Sequence, residues 1–363
     1  MTPRRLAAVG VLAVLAIGGA FGLAGQRSLE RDVSSEPLYP GLKEDIDQLE
    51  GLRVYGPGDT VVVTVTRVDD RWQVLERGGY PADASRLRNL FRDLAAANRI
   101  EQKTAQPERY AELGVEGIEG SDAGGVRIVL EGVDPDVDLI VGKQASGRGG
   151  SYVRRSGDAA SWLIDRTLAV PRSPAEWLDR AVIDIGADRI QSAEIAADGS
   201  EYEAAKASRA DADFAVTGVP EARQLSSPGA ANGLATSLQR LEADDVRPMA
   251  ELGDDTPDAT ARYRTFDGLV LTLRGYEVED ARYLSIEAAA DPGLAARFAL
   301  ADPSHEGPTE NDGNVSADAM TPATGAEAER INAQTRGWIY AVPGYKYDAI
   351  FRPLDELLAP LAE

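Results

Sequence analysis

The chain has 363 residues, more than one hydrophobic core usually serves, so about two domains are expected once any targeting segment is set aside. A formal net charge of −22 argues against nonspecific binding to nucleic acid or to anionic lipid surfaces. The chain contains no cysteine, which excludes disulfides, a thiolate nucleophile, cysteine-ligated zinc or iron–sulfur sites, and lipid attachment through cysteine.

An uncharged, mostly apolar run covers residues 6–25 and is flanked by arginines on both sides. Twenty residues at about 1.5 Å rise give roughly 30 Å, the thickness of a bilayer core. The charge bias predicts a cytoplasmic N-terminus and an exported body, which in a bacterium lies in the periplasm. Residues 1–27 are therefore predicted to be a single-pass transmembrane helix in the inner membrane. The alternative is a cleaved signal peptide, since Ala20, Gly22 and Ala24 offer small residues at cleavage spacing.

A polar tether over residues 28–51 leads to the first strong strand pattern, the β-branched run TVVVTVTRV at 60–68. The following RWQVLE predicts the second strand of a hairpin, with Trp72 and Val74 on one face. A helix capped by Asp83 comes next, and its apolar face is expected to pack on that hairpin. The residues of this predicted face are Leu87, Leu90, Phe91 and Leu94.

The next segment predicts more short elements. AQPERYAELGV indicates a short helix between Pro107 and Gly114, and GVRIVLEG and VDLIVGK indicate two strands. SYVRRSGDAASWLID is typical of a hairpin. A helix over SPAEWLDRAV is expected after it, with Ser173 as its N-cap.

The same pattern then recurs in a weaker form, with Phe214 and Val216 in the places of Trp72 and Val74. DGLVLTLRG and ARYLSIEAA correspond to GVRIVLEG and VDLIVGK, and GWIYAVPGYKYDAIFRPLDELL corresponds to the later hairpin and helix. This self-similarity predicts two related strand-rich domains, residues 52–183 and 184–361. The fold class expected is α+β, with antiparallel hairpins packed on helices. Residues 302–329, rich in acidic and small residues, are expected to form a mobile acidic loop in the second domain, with a helical pattern that resumes near Glu327 to Gln334.

The glycine-rich segment 142–155 is the first-choice functional surface. It does not match the phosphate-binding P-loop, because Val137 and Gln144 stand where that pattern requires glycine and serine or threonine. It does place four cations in an acidic protein, and such a cluster can hold an anionic ligand or an acidic partner. The alternative is a flexible connection with solvated basic residues. The candidate residues are Lys143, Arg148, Arg154 and Arg155.

Several motifs together resemble the domain of unknown function family 4340. They are YPGL, RWQVLERGGYPAD, EQKTAQPERYAELGV, VGKQASGRGGSYVRRSGDAASWLID, SPAEWLDR and GWIYAVPGYKYDAIF. The resemblance implies a membrane-anchored, exported bacterial protein, often encoded beside gliding-type ABC transporter components. It supplies no catalytic residues.

The leading hypothesis is a non-enzymatic periplasmic accessory subunit whose partners are an ABC transporter permease and ATPase. A second hypothesis is a periplasmic binding module for an anionic glycan or lipid headgroup that uses residues 142–155, and a third is an uncharacterised hydrolase. The single histidine, His305, lies in the predicted loop, where it would be poorly oriented for catalysis. No catalytic, cofactor-binding or metal-ligating residues are therefore assigned.

Overall fold

The structure is a computed structural model that describes residues 35–147, 149–279, 281–299 and 320–360. No helix within these ranges is long and apolar enough to span a bilayer. The predicted membrane segment 6–25 and His305 lie outside them, so neither prediction is tested by the described part of the chain.

The described chain is α+β, with strands that pair antiparallel and short helices between them. The strands are β1 (Glu36–Pro37), β2 (Gly51–Gly56), β3 (Thr60–Val68), β4 (Arg71–Val74), β5 (Tyr80–Pro81), β6 (Asn98–Gln102), β7 (Val126–Glu131), β8 (Val137–Gln144), β9 (Ser151–Arg155), β10 (Ser161–Ile164), β11 (Ala181–Ile183), β12 (Ile190–Ala197), β13 (Ser200–Ala205), β14 (Ala215–Thr217), β15 (Leu241–Glu242), β16 (Asp245–Pro248), β17 (Ala259–Thr265), β18 (Leu269–Val278), β19 (Ala281–Ala290) and β20 (Trp338–Ala341). The helices are α1 (Leu42–Asp45), α2 (Ala84–Ala95), α3 (Tyr110–Leu113), α4 (Gly233–Ser237), α5 (Pro292–Ala299), α6 (Met320–Thr335) and α7 (Gly344–Ile350).

The chain divides into two compact units. The first contains the described residues up to Asp70 together with Ala84–Arg172, and the second contains Arg71–Asp83 together with the chain from Ser173 onward. The sequence had placed the border between residues 183 and 184.

The first unit is built on one sheet with the strand order β1-β6-β10-β9-β8-β7-β2-β3. Its strands alternate between buried and partly exposed residues, as in β7, where Val126, Ile128 and Leu130 are buried. This alternation follows from the pleat, which points successive side chains to opposite faces. The predicted apolar face of α2 is confirmed as core, since Leu87, Leu90, Phe91 and Leu94 are all buried.

The second unit has a sheet with the strand order β14-β13-β12-β17-β18-β19-β20-β16, and β11 pairs with β15. The segment 71–83, which includes β4 and β5, is held inside this unit. Tyr80 packs edge-on against Trp338 and Tyr340, with ring centroids 5.1 Å and 6.1 Å away. Arg77 donates two hydrogen bonds to Asp245, Nε–Oδ1 at 2.6 Å and Nη2–Oδ2 at 2.9 Å.

Trp72 and Val74 also belong to the second unit, whereas α2 belongs to the first. Val74 is buried and Trp72 is half-buried. Their predicted packing on the face of α2 stays a prediction.

Seven strands of each unit follow one order. In the first unit it is β6-β10-β9-β8-β7-β2-β3, and in the second it is β16-β20-β19-β18-β17-β12-β13. A backbone contact also occurs twice: Ala82 bridges Leu178, and Leu225 bridges Leu358. Beside each bridge a backbone N–H donates to a backbone carbonyl at 2.8 Å: Asp83 to Trp177 beside the first bridge, and Ser226 to Leu357 beside the second.

The helix predicted over SPAEWLDRAV is wrong. The chain makes only a 3₁₀ turn over Pro174–Trp177 and becomes extended at Leu178. Trp177 is fully buried, and Leu178 bridges Ala82. Burial of the indole and this backbone pairing therefore decide the conformation in place of local helix propensity.

Two further predictions differ from the structure. Residues 302–319 of the predicted loop lie outside the described ranges, but the chain from Met320 onward forms α6, where Ala328 and Ile331 are buried. The sequence predicted that β7 and β8 correspond to β18 and β19. The strand order instead matches β7 and β8 to β17 and β18, one strand earlier. Strand β17, ATARYRT, went unpredicted because small and charged residues hide its alternation.

Candidate functional site

The cations of the segment 142–155 are fixed by backbone carbonyls. Lys143 stands near the end of β8 with its side chain exposed, and its Nζ donates to the carbonyls of Ala111 and Glu112 at 3.2 Å and 3.0 Å. These carbonyls belong to the last turn of α3, where helix carbonyls lack intrahelical N–H donors, although that of Ala111 also accepts from the N–H of Gly114 at 3.3 Å. A cation placed there also complements the negative end of the helix dipole. Lys143 therefore caps α3.

Arg154 is buried at 9% exposure in β9 and serves the same loop. Its Nε donates to the carbonyl of Val115 at 2.7 Å and its Nη1 to the carbonyl of Asp158 at 3.0 Å. The guanidinium carbon lies 4.6 Å from the ring centroid of Tyr110. A buried arginine is tolerated only when its donors are satisfied, and here carbonyls and an aromatic face supply that.

Arg155 acts elsewhere, because consecutive strand residues point to opposite faces. Its Nη2 donates to the carbonyl of Leu38, and its guanidinium carbon lies 4.4 Å from the ring centroid of Tyr39. Burial raises the pKa of Tyr39, and the nearby charge of Arg155 offsets this only in part. Arg148 lies outside the described residues. The structure thus brings Lys143 and Arg154 together on the segment 110–115 and directs Arg155 to another.

The glycine at position 142 has a packing reason. A Cβ built on Gly142 would overlap the carbonyl oxygen of Leu113 and lie 2.7 Å from that of Gly114. The loop that carries α3 therefore approaches β8 too closely for any side chain. Close backbone approach is a standard use of glycine, and here the partner is the chain itself.

A family model described as Domain of unknown function (DUF4340) matches residues 72–265, more than half of the chain. The chain belongs to this family. The residues matched to DUF4340 include the whole segment 142–155. No curated protein and no solved structure matches the chain.

A charged cluster that sequence reasoning missed secures α6 in the second unit. Arg189 donates to Glu327 through Nη1 at 3.0 Å and Nη2 at 2.7 Å, and its Nη2 also reaches Asp267 at 2.8 Å. Burial acts to raise the pKa of Asp267, but the Arg189 charge and hydrogen bonding hold that pKa below its ordinary value. These residues are far apart in sequence, so no local pattern could have found them.

Sequence reasoning also missed a cavity of about 200 Å³ in the second unit. Of the residues that line it, only Met249 lies within the stretch matched to the family. Its polar lining includes Arg274, Ser285, Glu287 and Arg336. Within the part of the chain that the structure describes, no three His, Cys, Asp or Glu residues are grouped to hold a metal ion.

Proposed function

We propose that this protein is a non-enzymatic accessory subunit of a membrane complex whose partners are an ABC transporter permease and ATPase. In this proposal residues 6–25 anchor the chain in the bacterial inner membrane and the body lies in the periplasm. The apolar run and its flanking arginines support the anchor. The motif resemblance described above supports the choice of partners.

The single observation that carries a scaffold role is the shared order of seven strands in the two units. It supports descent of residues 52–183 and 184–361 from one duplicated domain. Strand-rich domains of this kind offer sheet edges and faces for contact with other proteins. We infer that the two units present related faces to the partner complex.

Matching ion pairs add to this inference. Arg53 of β2 pairs across the sheet with Glu131 of β7 at 2.8 Å, and Glu194 of β12 pairs with Arg264 of β17 at 3.2 Å. In both units the ion pair is diagonal, because a residue on one strand bonds to the residue two positions after its direct partner on the neighbouring strand. The charges of this one pair are exchanged between the units, so these corresponding positions carry opposite charges. Such a difference lets related surfaces select different partners.

We rank the anionic-ligand alternative at residues 142–155 below the scaffold. Lys143, Arg154 and Arg155 already donate to carbonyls of their own unit, and a ligand would have to replace those bonds. No observation among the described residues favours the hydrolase alternative.

The test is affinity purification of the full-length protein from mild-detergent extracts of its native membrane, followed by mass spectrometry. The expected result is that an ABC-type permease and ATPase copurify. Two variants sharpen this: residues 38–363 without the anchor, and a chain whose residues 6–25 are replaced by an unrelated transmembrane helix. If the complex is lost only without any anchor, the body makes the contact and the membrane concentrates it. Recovery of the full-length protein without a permease and ATPase would refute the proposal.

A further inference from the structure

The cavity in the second unit lies between the β18–β19 ribbon and the C-terminal end of α6. Arg274 comes from β18, Ser285 and Glu287 from β19, and Arg336 directly follows α6. Met249 contributes an apolar wall. A volume of about 200 Å³ is smaller than a typical pocket for a drug-sized ligand, so it suits a molecule of a few non-hydrogen atoms.

Three polar groups of this lining keep unused hydrogen-bonding capacity. Ser285 is 3% exposed, and its Oγ has no hydrogen-bond partner among the described residues. The guanidinium of Arg336 has no ion pair within the described part of the chain. Arg274 makes one bond, Nη1 to Glu287 Oε2 at 3.1 Å, which leaves donors on its other nitrogens. An unsatisfied buried hydroxyl is costly, and it requires an explanation.

By contrast, both polar atoms of the Asn332 amide at the same cavity have hydrogen-bond partners. Its Oδ1 accepts from the N–H of Ala288 at 2.8 Å, and its Nδ2 donates to the carbonyl of Ala288 at 2.7 Å. The amide thus completes the edge of β19 where β20 no longer pairs with it. Asn332 therefore shapes the cavity, with both polar atoms of its amide bonded to the backbone of Ala288.

The first unit shows what fills this place there. The pairing registers align the two sheets when Arg53 of the first unit is matched with Glu194 of the second and the strand partners are followed from there. They place Arg274 at the position of Ile140 and Ser285 at that of Arg154.

Around Ile140 and Arg154 the first unit is closed. Tyr110 and Val115 pack on Ile140, and Arg154 bonds to the carbonyl of Val115. Tyr110 and Val115 belong to the long connection 103–125 between β6 and β7. The corresponding connection in the second unit is only residues 249–258. The shorter loop makes only a 3₁₀ turn over Met249–Leu252 in the place of α3. Met249 of that turn lines the equivalent site, which stays open.

We propose that this cavity binds a small organic carboxylate, with Arg274 and Arg336 as cationic partners and the Ser285 hydroxyl as a further donor. Guanidinium groups match the planar geometry of a carboxylate. Two arginines and the Glu287 carboxylate leave one net positive charge, which fits a monoanion better than a phosphate dianion. The negative end of α6 opposes any anion at this site, and it opposes a dianion more strongly than a monoanion.

The test is saturation-transfer NMR of butyrate with the full chain in detergent, with chloride at matched ionic strength and empty micelles as blanks. Binding should saturate with a Kd on the order of 1 mM, as expected for a fragment with few atoms. Arg336→Gln should weaken binding at least tenfold, because it removes a charge-assisted contact from an exposed side chain that the fold does not need. Ser285→Ala should weaken it severalfold.

Arg330→Gln is the matched control, since Arg330 is an exposed arginine of the same helix that does not line the cavity. It should bind butyrate as the parent chain does. Equal binding by the parent, Arg336→Gln and Arg330→Gln would overturn the proposal, and so would the absence of saturable binding. Tighter binding of inorganic phosphate than of butyrate in a competition experiment would overturn the choice of a carboxylate.

Discussion

Gly142→Ala tests the closest backbone approach in the first unit. The added methyl would overlap the Leu113 carbonyl and lie 2.9 Å from the carbonyl carbon of Gly114. Both neighbours are backbone atoms, so no rotamer change can relieve the overlap. The loop that carries Tyr110 and Val115 must move away from β8 instead.

Overpacking of this kind costs about 1–3 kcal/mol. We expect the upper half of that range, because Tyr110 and Val115 are buried and lose contact with Ile140 when the loop moves. The substitution also restricts the unfolded chain, which returns about 0.4–1 kcal/mol. The net loss of unfolding free energy should therefore be about 2 kcal/mol.

The matched control is Gly120→Ala in the same unit. Gly120 is exposed, and among the described residues beyond its chain neighbours only Oδ1 of Asp122, the end of a flexible side chain, lies within 4 Å of the added Cβ, at 3.0 Å. Its effect should stay within about 0.5 kcal/mol. Urea unfolding gives the free energies, and hydrogen–deuterium exchange should show lost protection in residues 107–118 for Gly142→Ala alone. If the two variants unfold at the same urea concentration, the loop does not contact β8 as described.

Three further outcomes are expected. Burial raises the pKa of Tyr80 and of Tyr347 to about 12 from an ordinary value of 10.0. The unfolded state therefore loses these protons first, and the stability should fall as the pH rises from 10 to about 12. The double variant Tyr80→Phe, Tyr347→Phe should flatten this fall in the urea midpoints, and an unchanged slope would contradict the burial of these hydroxyls. Arg77→Gln should lower the free energy of unfolding by about 1–3 kcal/mol, because it breaks two charge-assisted hydrogen bonds to Asp245. The control Arg71→Gln, at an exposed residue of the same segment, should be nearly neutral. Equal effects of the two variants would show that the ion pair adds no stability. Gly325→Ala in α6 should stabilise the protein by about 0.5–1 kcal/mol, since outside the helix's own nearby backbone no described residue has an atom within 4 Å of the added Cβ. A lower melting temperature would argue against that helix.

Local patterns were sufficient for the elements whose residues bury one face against a core. The β-branched run 60–68 forms β3, and the apolar spacing after Asp83 forms α2. Gly114 ends α3 in the left-handed conformation, with φ 70°, that this position of a helix favours. In each case the deciding interactions lie within a few residues, so the sequence itself carries the information. The α+β class followed from these elements.

Tertiary structure decided where distant residues meet. Trp177 is buried and Leu178 pairs with Ala82, so the predicted helix there gives way to a short turn. Of two adjacent arginines, Arg154 holds the loop of α3 and Arg155 binds the carbonyl of Leu38, because a strand points successive side chains to opposite faces. The chain pattern could mark both as cations, but it could not assign their acceptors.

The cavity in the second unit shows the same limit. Arg274, Ser285 and Arg336 share no motif, and only the strand register and the end of α6 bring them to one space. The sequence by itself determined the α+β class, the elements with a clear apolar pattern such as β3 and α2, and the family of the chain. The fold alone decided which polar groups are satisfied and which remain open, because hydrogen-bond satisfaction depends on neighbours that are remote along the chain.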